Sequence, residues 1–207
     1  MSNRLITGVV TDLVARAIVI VLFSLMSANI LGDFMRTGHV TGLLLLASES
    51  LVVVLTLVRR RPHLVDRSAA GLVTTALSLA GPPLLRAVEN PAVVSDAVTA
   101  TVSAAGLGLV IVGKLALGRS FGIAPANRGV VMHGPYGLVR HPIYAGYLLT
   151  HIAFLVANPS PWNVTVILVA DSALVLRALI EERVLGTDEA YRSYCRRVGW
   201  HLVPGVF

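Results

Sequence analysis

The sequence lacks several features on which other protein classes depend. Its one cysteine, Cys195, excludes an internal disulfide, and we expect this side chain to pack against apolar neighbours rather than to act as a nucleophile. No Cys/His cluster has the spacing of metal ligands, so we predict no metal site, and neither a Walker motif nor a dinucleotide-binding glycine motif is present. Charged residues make up only 14% of the chain. These absences argue against a disulfide-rich protein, a metalloprotein and a P-loop or Rossmann-type enzyme.

The chain is instead rich in apolar residues. They account for 55% of its 207 residues, and the mean hydropathy is +0.77, which is too apolar for an ordinary soluble domain. We predict a single integral-membrane domain of the all-α class, a polytopic transmembrane helical bundle of about six spans (five to six). The sequence NPSPW at 158–162 predicts a tight hairpin between the last two spans. The spans are expected at Ala15 to Leu31, Val40 to Val58, Ala69 to Leu85, Val93 to Leu115, Ile143 to Ala157 and Asn163 to Ile180.

Basic residues are distributed unevenly over the predicted connections. With six spans and the amino terminus inside, only Arg36 and Arg86 of the 17 Lys and Arg residues fall on the outer side. The positive-inside rule therefore places both termini and the polar stretch 118–147 in the cytoplasm, and we expect a bacterial-type inner (plasma) membrane. The apolar stretch after Arg4 lacks a small-residue cleavage site, which favours a retained helix over a signal peptide. Topology thus accounts for the net charge of +6, and nothing indicates nucleic-acid binding.

The stretch from Gly118 to Tyr147 is the longest one without a hydrophobic span. Within it, the sequence GPYG at 134–137 predicts a tight turn, and Pro142 is suited to the first position of a helix. The unpaired amides of that helix start, together with Arg140, would form a pocket for a carboxylate or a phosphate. The alternative is that the Arg-His pair only anchors the helix at the membrane surface. One face of the predicted helix carries His141, Tyr144, Leu148 and His151.

The end of the sixth span carries a second polar group. Arg177 and Glu181 are four residues apart, so they share a helix face and can pair. Asp171 and Glu182 are eleven residues apart, close to three turns, and share another face. An interfacial charge cluster is the alternative explanation. The two polar segments together can supply both anionic and cationic groups to a pocket.

A last helix is predicted from Thr187 to Val198. Its Tyr and Val residues form an apolar stripe opposite three arginines, which indicates an interfacial amphipathic helix that lies on the membrane and roofs the pocket. The stripe consists of Tyr191, Tyr194, Cys195 and Val198, and the basic face consists of Arg192, Arg196 and Arg197.

Three features of the sequence carry a family resemblance. They are the pattern G-P-Y-x-x-V-R-H-P-x-Y-x-G, the segment Arg177-Ala-Leu-Ile-Glu181-Glu182 and a tail that contains Tyr191, Tyr194 and Pro204. It resembles the isoprenylcysteine carboxyl methyltransferase (ICMT) family and its relatives, the phospholipid methyltransferases, which are integral-membrane enzymes that use S-adenosylmethionine. The resemblance covers roughly 118–204. It implies a four-span scaffold in residues 1–117 and a catalytic region in 118–207.

The resemblance also implies a function and a set of site residues. The expected activity is S-adenosylmethionine-dependent methyl transfer to a lipophilic acceptor in the membrane: a carboxylate, an isoprenylcysteine-like group or a lipid headgroup. Membrane lipids and a lipophilic or lipidated acceptor are the expected partners. The sequence does not decide whether the chain forms a homo-oligomer. The implied catalytic residues are Arg177 and Glu182. The implied cofactor-binding residues are Tyr136, Val139, Arg140, His141, Tyr144, Gly146 and Glu181.

The acceptor decides which of these residues the chemistry needs. A carboxylate is already ionised at neutral pH and needs only an arginine such as Arg177 to hold it. An amine or a phenol must lose a proton, for which Glu182 is the expected base. The prominence of Arg177 favours an anionic or neutral oxygen acceptor.

Two other functions compete with methyl transfer. Membrane NAD(P)H-dependent sterol reductases resemble the same carboxyl-terminal region, but they show Asn and Glu where this chain has Ile143 and Tyr147, which favours S-adenosylmethionine. A non-enzymatic membrane carrier would instead use Glu49, His151 and Asp171 as a proton path. Glu49 lies in the middle of the second span, where an ionisable group is a functional candidate, although its serine neighbours can satisfy a protonated carboxyl.

Overall fold

The computed structural model describes residues 13–14, 16–25, 27–28, 31–32, 35, 40–86, 88 and 94–207. This part of the chain is mostly helical, in agreement with the predicted all-α class. The helices are α1 (Arg16–Leu25), α2 (Val40–Val58), α3 (Ala69–Leu84), α4 (Asp96–Leu117), α5 (Pro142–Ala157), α6 (Pro161–Leu185) and α7 (Glu189–Arg197).

Two of the described helices are long and apolar enough to cross a membrane by length and composition. They are Asp96–Ser120, which extends α4 by one 3₁₀ turn, and Pro161–Leu185. Predicted spans two to six coincide with α2 to α6, but the number of spans is not fixed by these lengths, and a bundle of six spans stays a prediction. The shorter apolar helices are Arg16–Leu25, Leu46–Val58, Ala69–Leu84 and Pro142–Ala157.

The chain divides into two compact units, Met1–Arg59 and Arg60–Phe207. In the first unit, Arg16 of α1 donates hydrogen bonds to backbone carbonyls at the end of α2, at 3.3 to 3.4 Å. The last carbonyls of a helix have no partner within the helix, and a cation also complements the negative end of the helix dipole. Glu49, in the middle of α2, accepts a hydrogen bond from the Ser48 hydroxyl at 3.1 Å, so a serine partner expected from the sequence is present.

The second unit contains the segments that the sequence predicts to be catalytic. Here α4 packs along α5, α3 packs along α6, and α5 also contacts α6. Gly106 of α4 faces Gly146 of α5 closely: a Cβ atom on Gly106 would lie 2.7 Å from the Gly146 carbonyl oxygen, and one on Gly146 would lie 2.6 Å from the Gly106 carbonyl oxygen. The absence of side chains at both positions lets the two backbones approach each other.

The predicted hairpin between α5 and α6 is confirmed. The two helices are separated only by residues 158–160, and Ser160 caps α6 by accepting a hydrogen bond from the Asn163 amide. Asn163 is fully buried and donates to the carbonyls of Arg86 and Asn158, both at 2.8 Å, so the hairpin also holds the segment that follows α3. Because α5 and α6 run antiparallel, the first turn of α5 lies beside the last turn of α6.

A short two-stranded pairing was not expected from the sequence. Strand β1 (Leu64–Val65) pairs antiparallel with β2 (Ala126–Asn127), with Leu64 opposite Asn127 and Val65 opposite Ala126. Two-residue strands are too short to show the alternating periodicity from which strands are recognised. The pairing ties the polar stretch 118–147 to the segment before α3.

Candidate active site at the ends of two helices

The local structure of the polar stretch follows the expected pattern. Residues Gly134–Gly137 form a 3₁₀ turn, and Gly134 has φ +63°, a value that residues with a side chain rarely adopt. Helix α5 begins at Pro142 as predicted, with His141 in the N-cap position. The His141 side chain makes no capping hydrogen bond, which leaves it available to residues outside its own helix.

Three polar pairs join α5 to α6. His141 Nε2 lies 2.9 Å from Glu182 Oε1, and the Tyr144 hydroxyl donates to Glu181 Oε2 at 2.7 Å. Deeper in the helices, His151 Nδ1 lies 2.6 Å from Asp171 Oδ1. Residues later in α5 meet residues earlier in α6, as the antiparallel arrangement requires. The two polar segments that the sequence predicts to meet are therefore in direct contact.

Glu182 is the centre of this arrangement. Its Oε2 accepts a hydrogen bond from Arg140 Nη1 at 3.0 Å, and its Oε1 lies 2.9 Å from His141 Nε2 and 2.6 Å from His201 Nδ1. A carboxylate has about four acceptor positions, and three of them are used here by the protein. His201 was not among the expected site residues, and it lies 19 residues from Glu182 in the sequence.

Arg140 does not form the anion pocket expected at the start of α5. Besides Glu182, it donates from Nε to the Val198 carbonyl at 2.8 Å and from Nη2 to the Cys195 carbonyl at 3.2 Å. These carbonyls lie at the end of α7, where a cation complements the helix dipole. The guanidinium group therefore joins α7 to Glu182, and three of its five N–H donors are already used.

Arg177 and Glu181 do not pair in the way their spacing suggests. Arg177 Nη2 donates to the Ile123 carbonyl, and the guanidinium lies over the Tyr144 ring, 5.3 Å from its centroid. Among the described residues, Tyr144 alone bonds to Glu181, through Oε2. The loop before β2 and the aromatic ring on α5 therefore provide the contacts that the Arg177 guanidinium makes in this structure. The buried Nε of Arg177 has no hydrogen-bond partner within the described part of the chain.

Residues 93–193, just under half of the chain, match the model for phospholipid methyltransferases. Over this region the chain is similar to the phospholipid methyltransferase family. The match begins just before α4, ends within α7 and contains every site residue expected from the sequence. Comparisons with curated proteins and with solved structures give no significant match.

Helix α7, in which the matched region ends, packs on the protein. Tyr191, Tyr194 and Val198 form a buried cluster against Val130 and Leu185. The protein itself thus covers the apolar stripe. The location of α7 at the membrane surface and its role as a roof over the pocket stay predictions. The predicted basic face is exposed, and Cys195 is half-buried beside the cluster, in agreement with a packing role.

The Tyr194 hydroxyl connects α7 to the turn at Gly134–Gly137. It donates to the Tyr136 carbonyl at 2.7 Å and, more weakly, to the Val139 carbonyl at 3.4 Å. Burial, with a contribution from the nearby Cys195, raises the pKa of Tyr194 to about 12, so the hydroxyl keeps its proton at physiological pH. Burial and the negative charge of Glu181 also raise the pKa of Tyr136 well above its usual value. Tyr136 and Val139 are both buried beside the helix ends.

Gly146 lies against the backbone of a neighbouring helix. Its missing side chain faces Gly106 and Val110 of α4, not the polar helix ends. Helix packing therefore explains why glycine is present here, and we do not include Gly146 in the donor site proposed below. Of the other expected residues, Arg140, His141 and Tyr144 bond to Glu181 or Glu182. Arg177 contacts the Tyr144 ring, and the carbonyls of Tyr136 and Val139 accept hydrogen bonds from Tyr194.

Proposed function

We propose that the chain is a membrane methyltransferase that transfers a methyl group from S-adenosylmethionine to a lipid-type acceptor. Similarity of the matched region to the phospholipid methyltransferase family supports methyl transfer, membrane association and a lipid-type substrate. The observation that carries the proposal is the direct contact between the start of α5 and the end of α6, made by His141 with Glu182 and by Tyr144 with Glu181. The proposed orientation is the one expected from the positive-inside rule, with the site at the cytoplasmic face.

The residues at these helix ends fit the chemistry of the proposed methyl donor. S-adenosylmethionine carries a sulfonium cation, an amino group, ribose hydroxyls and a carboxylate, and it supplies an electrophilic methyl group. Glu181 uses only one oxygen in its contact with Tyr144, so it can accept hydrogen bonds from the amino group or the ribose. The ring of Tyr136 offers a surface for the sulfonium or the base, and the Tyr144 hydroxyl orients Glu181. We therefore propose that the donor is held by Tyr136, Val139, His141, Tyr144 and Glu181.

Arg177 is suited to orient an anionic group of the acceptor. It is buried, its Nη2 is held by the Ile123 carbonyl, and its Nε has no partner among the described residues. An unpaired buried N–H is costly, and a phosphate or carboxylate oxygen would satisfy it. A phospholipid supplies such an oxygen next to its headgroup. We accordingly keep Arg177 as the acceptor-orienting residue of the proposed reaction.

Glu182 has a positioning role in this proposal instead of the role of a base. Three protein donors, from Arg140, His141 and His201, already use three of its about four acceptor positions, which leaves one position for any further proton. The carboxylate is better suited to fix the two imidazole rings and the guanidinium group relative to one another. Most of the increase in the rate of methyl transfer would then come from the alignment of donor and acceptor.

Calorimetric titration of the purified protein with S-adenosylhomocysteine tests the proposal. We expect binding in the micromolar range, and a loss of affinity of about 10- to 100-fold for Glu181→Gln, because one hydrogen bond to a charged group contributes about 1.5–3 kcal/mol. Glu189→Gln is the matched control, since Glu189 is exposed in the first turn of α7. Absence of binding by folded wild-type protein would refute the proposed function.

A further inference from the structure

Two histidines share one oxygen of Glu182. His141 Nε2 lies 2.9 Å and His201 Nδ1 lies 2.6 Å from Oε1. His141 belongs to the expected motif, but His201 lies outside residues 93–193, which the family model matches. The second imidazole is thus a feature of this chain that the family match does not explain.

The hydrogen bonds determine which nitrogen of each ring is available. A carboxylate can only accept, so His201 donates from Nδ1 and His141 donates from Nε2. In the neutral form of each ring, the remaining nitrogen carries the lone pair, which is Nε2 for His201 and Nδ1 for His141. A carboxylate that holds Nδ1–H and leaves Nε2 free is the arrangement that prepares histidine as a base in hydrolase triads.

The two rings differ in access. The His141 side chain is 7% exposed, and its ring stacks on Tyr144 with an interplanar angle of 3°. The His201 side chain is 24% exposed. Its position is nevertheless fixed, because its carbonyl accepts a hydrogen bond from the His141 amide at 2.9 Å and its ring stacks on Phe207 at 4.7 Å. His201 is therefore the histidine that is both oriented and able to exchange a proton with an acceptor.

We propose that His201 is the base of the reaction; this rests on the proposed function, with a phospholipid amine as the acceptor, whose ammonium form must lose a proton before methylation. The acceptor nitrogen gives its proton to His201 Nε2, and the freed lone pair forms a bond to the methyl carbon. The carbon–sulfur bond breaks, and its electrons stay on sulfur, which becomes a neutral thioether. The imidazolium then releases its proton to the cytosol. Atoms and charge balance, since one proton is released for each methyl group transferred.

The test compares two substitutions of His201 in the full-length protein. His201→Asn keeps an N–H that can bond to Glu182 but has no basic nitrogen, whereas His201→Ala removes both. Transfer of labelled methyl groups from S-adenosylmethionine is measured to vesicles that contain a phospholipid with a primary-amine headgroup. We expect kcat to fall 10²- to 10³-fold in both variants, with KM and S-adenosylhomocysteine binding unchanged. Imidazole in the buffer should restore part of the activity of His201→Ala. His63→Asn is the control: it makes the same substitution at an exposed histidine outside the site, and its kcat should equal that of the wild type.

Each alternative outcome has a separate meaning. Wild-type kcat in His201→Asn would show that His201 only positions Glu182, and would overturn the proposal. Methylation of a fatty-acid carboxylate in matched vesicles, without labelling of the amine lipid, would also overturn it and leave the methyltransferase proposal intact. Binding of S-adenosylhomocysteine by the wild type without labelling of either lipid would likewise overturn the assignment of His201 and leave the methyltransferase proposal intact. Failure of the wild type to bind S-adenosylhomocysteine would instead refute the proposed function.

Discussion

The contact between Gly106 and Gly146 allows a quantitative test of the fold around the site. In Gly106→Ala, the added Cβ atom would lie 2.7 Å from the Gly146 carbonyl oxygen and 2.5 Å from Thr150 Oγ1. The hydroxyl can rotate, but the carbonyl belongs to the backbone of α5 and accepts a hydrogen bond from Thr150, so the helices must separate. Overpacking of this kind costs about 1–3 kcal/mol.

Gly108→Ala is the matched control for this substitution. Gly108 lies in the same helix, and a Cβ atom added there would meet no atom of the described residues within 4 Å, apart from its chain neighbours and the backbone of its own helix. Both substitutions gain the helix propensity of alanine, about 1 kcal/mol. The difference in unfolding free energy between the two variants therefore isolates the packing cost, about 1–3 kcal/mol, or about 2–4 °C in Tm per kcal/mol.

Thermal unfolding in detergent micelles, followed by circular dichroism, measures that difference. Equal stability of the two variants would refute the close approach of α4 and α5. Gly146→Ala should behave like Gly106→Ala, since its Cβ would lie 2.6 Å from the Gly106 carbonyl oxygen. If Gly146→Ala instead kept wild-type stability and lost S-adenosylhomocysteine binding, the expected cofactor contact of Gly146 would be restored and our packing explanation rejected.

Three single contacts give further predictions. Tyr194→Phe leaves the Tyr136 carbonyl without its hydroxyl donor at 2.7 Å, and we expect a loss of about 1–3 kcal/mol in thermal unfolding. Asn163→Ala removes the partners of the Arg86 amide and carbonyl, and we expect a loss of about 1–3 kcal/mol for each group left unsatisfied. Hydrogen bonds from Asn127 and the Ala190 amide lower the pKa of Asp188 in the folded state. The contribution of Asp188 to folding stability is therefore complete above its pKa in the unfolded chain and is lost as pH falls through its pKa in the folded protein. We expect Asp188→Asn to remove this part of the loss of stability in acid, as measured by thermal unfolding.

Specific results would contradict these three predictions. Tyr194→Phe with the Tm of the wild type would mean that the Tyr136 carbonyl finds another donor. Asn163→Ala with unchanged stability would mean that the segment after α3 does not depend on the α5–α6 hairpin. An identical decrease of Tm between pH 7 and pH 3 in wild type and Asp188→Asn would rule out the contribution assigned to Asp188.

Apolar composition and local signals in the sequence determined the helices and the general place of the site. The hydrophobic runs predicted α2 to α6, and Pro142 and the NPSPW turn fixed where α5 begins and where the chain reverses. A hairpin of two antiparallel helices necessarily brings the start of the first to the end of the second. The meeting of His141 with Glu182 could thus be predicted, since it follows from local structure and chain direction.

Only the tertiary structure decided which partners the polar side chains take. Arg140 binds the end of α7, Arg177 contacts Ile123 and Tyr144, and His201 reaches Glu182, and none of these contacts has a spacing that reveals it. Periodicity reports which residues share a face of one helix, whereas partners across the fold depend on helix rotation, on loop paths and on backbone approach at positions such as Gly106. Residue types could therefore be recognised in the chain, but their pairing was set by packing.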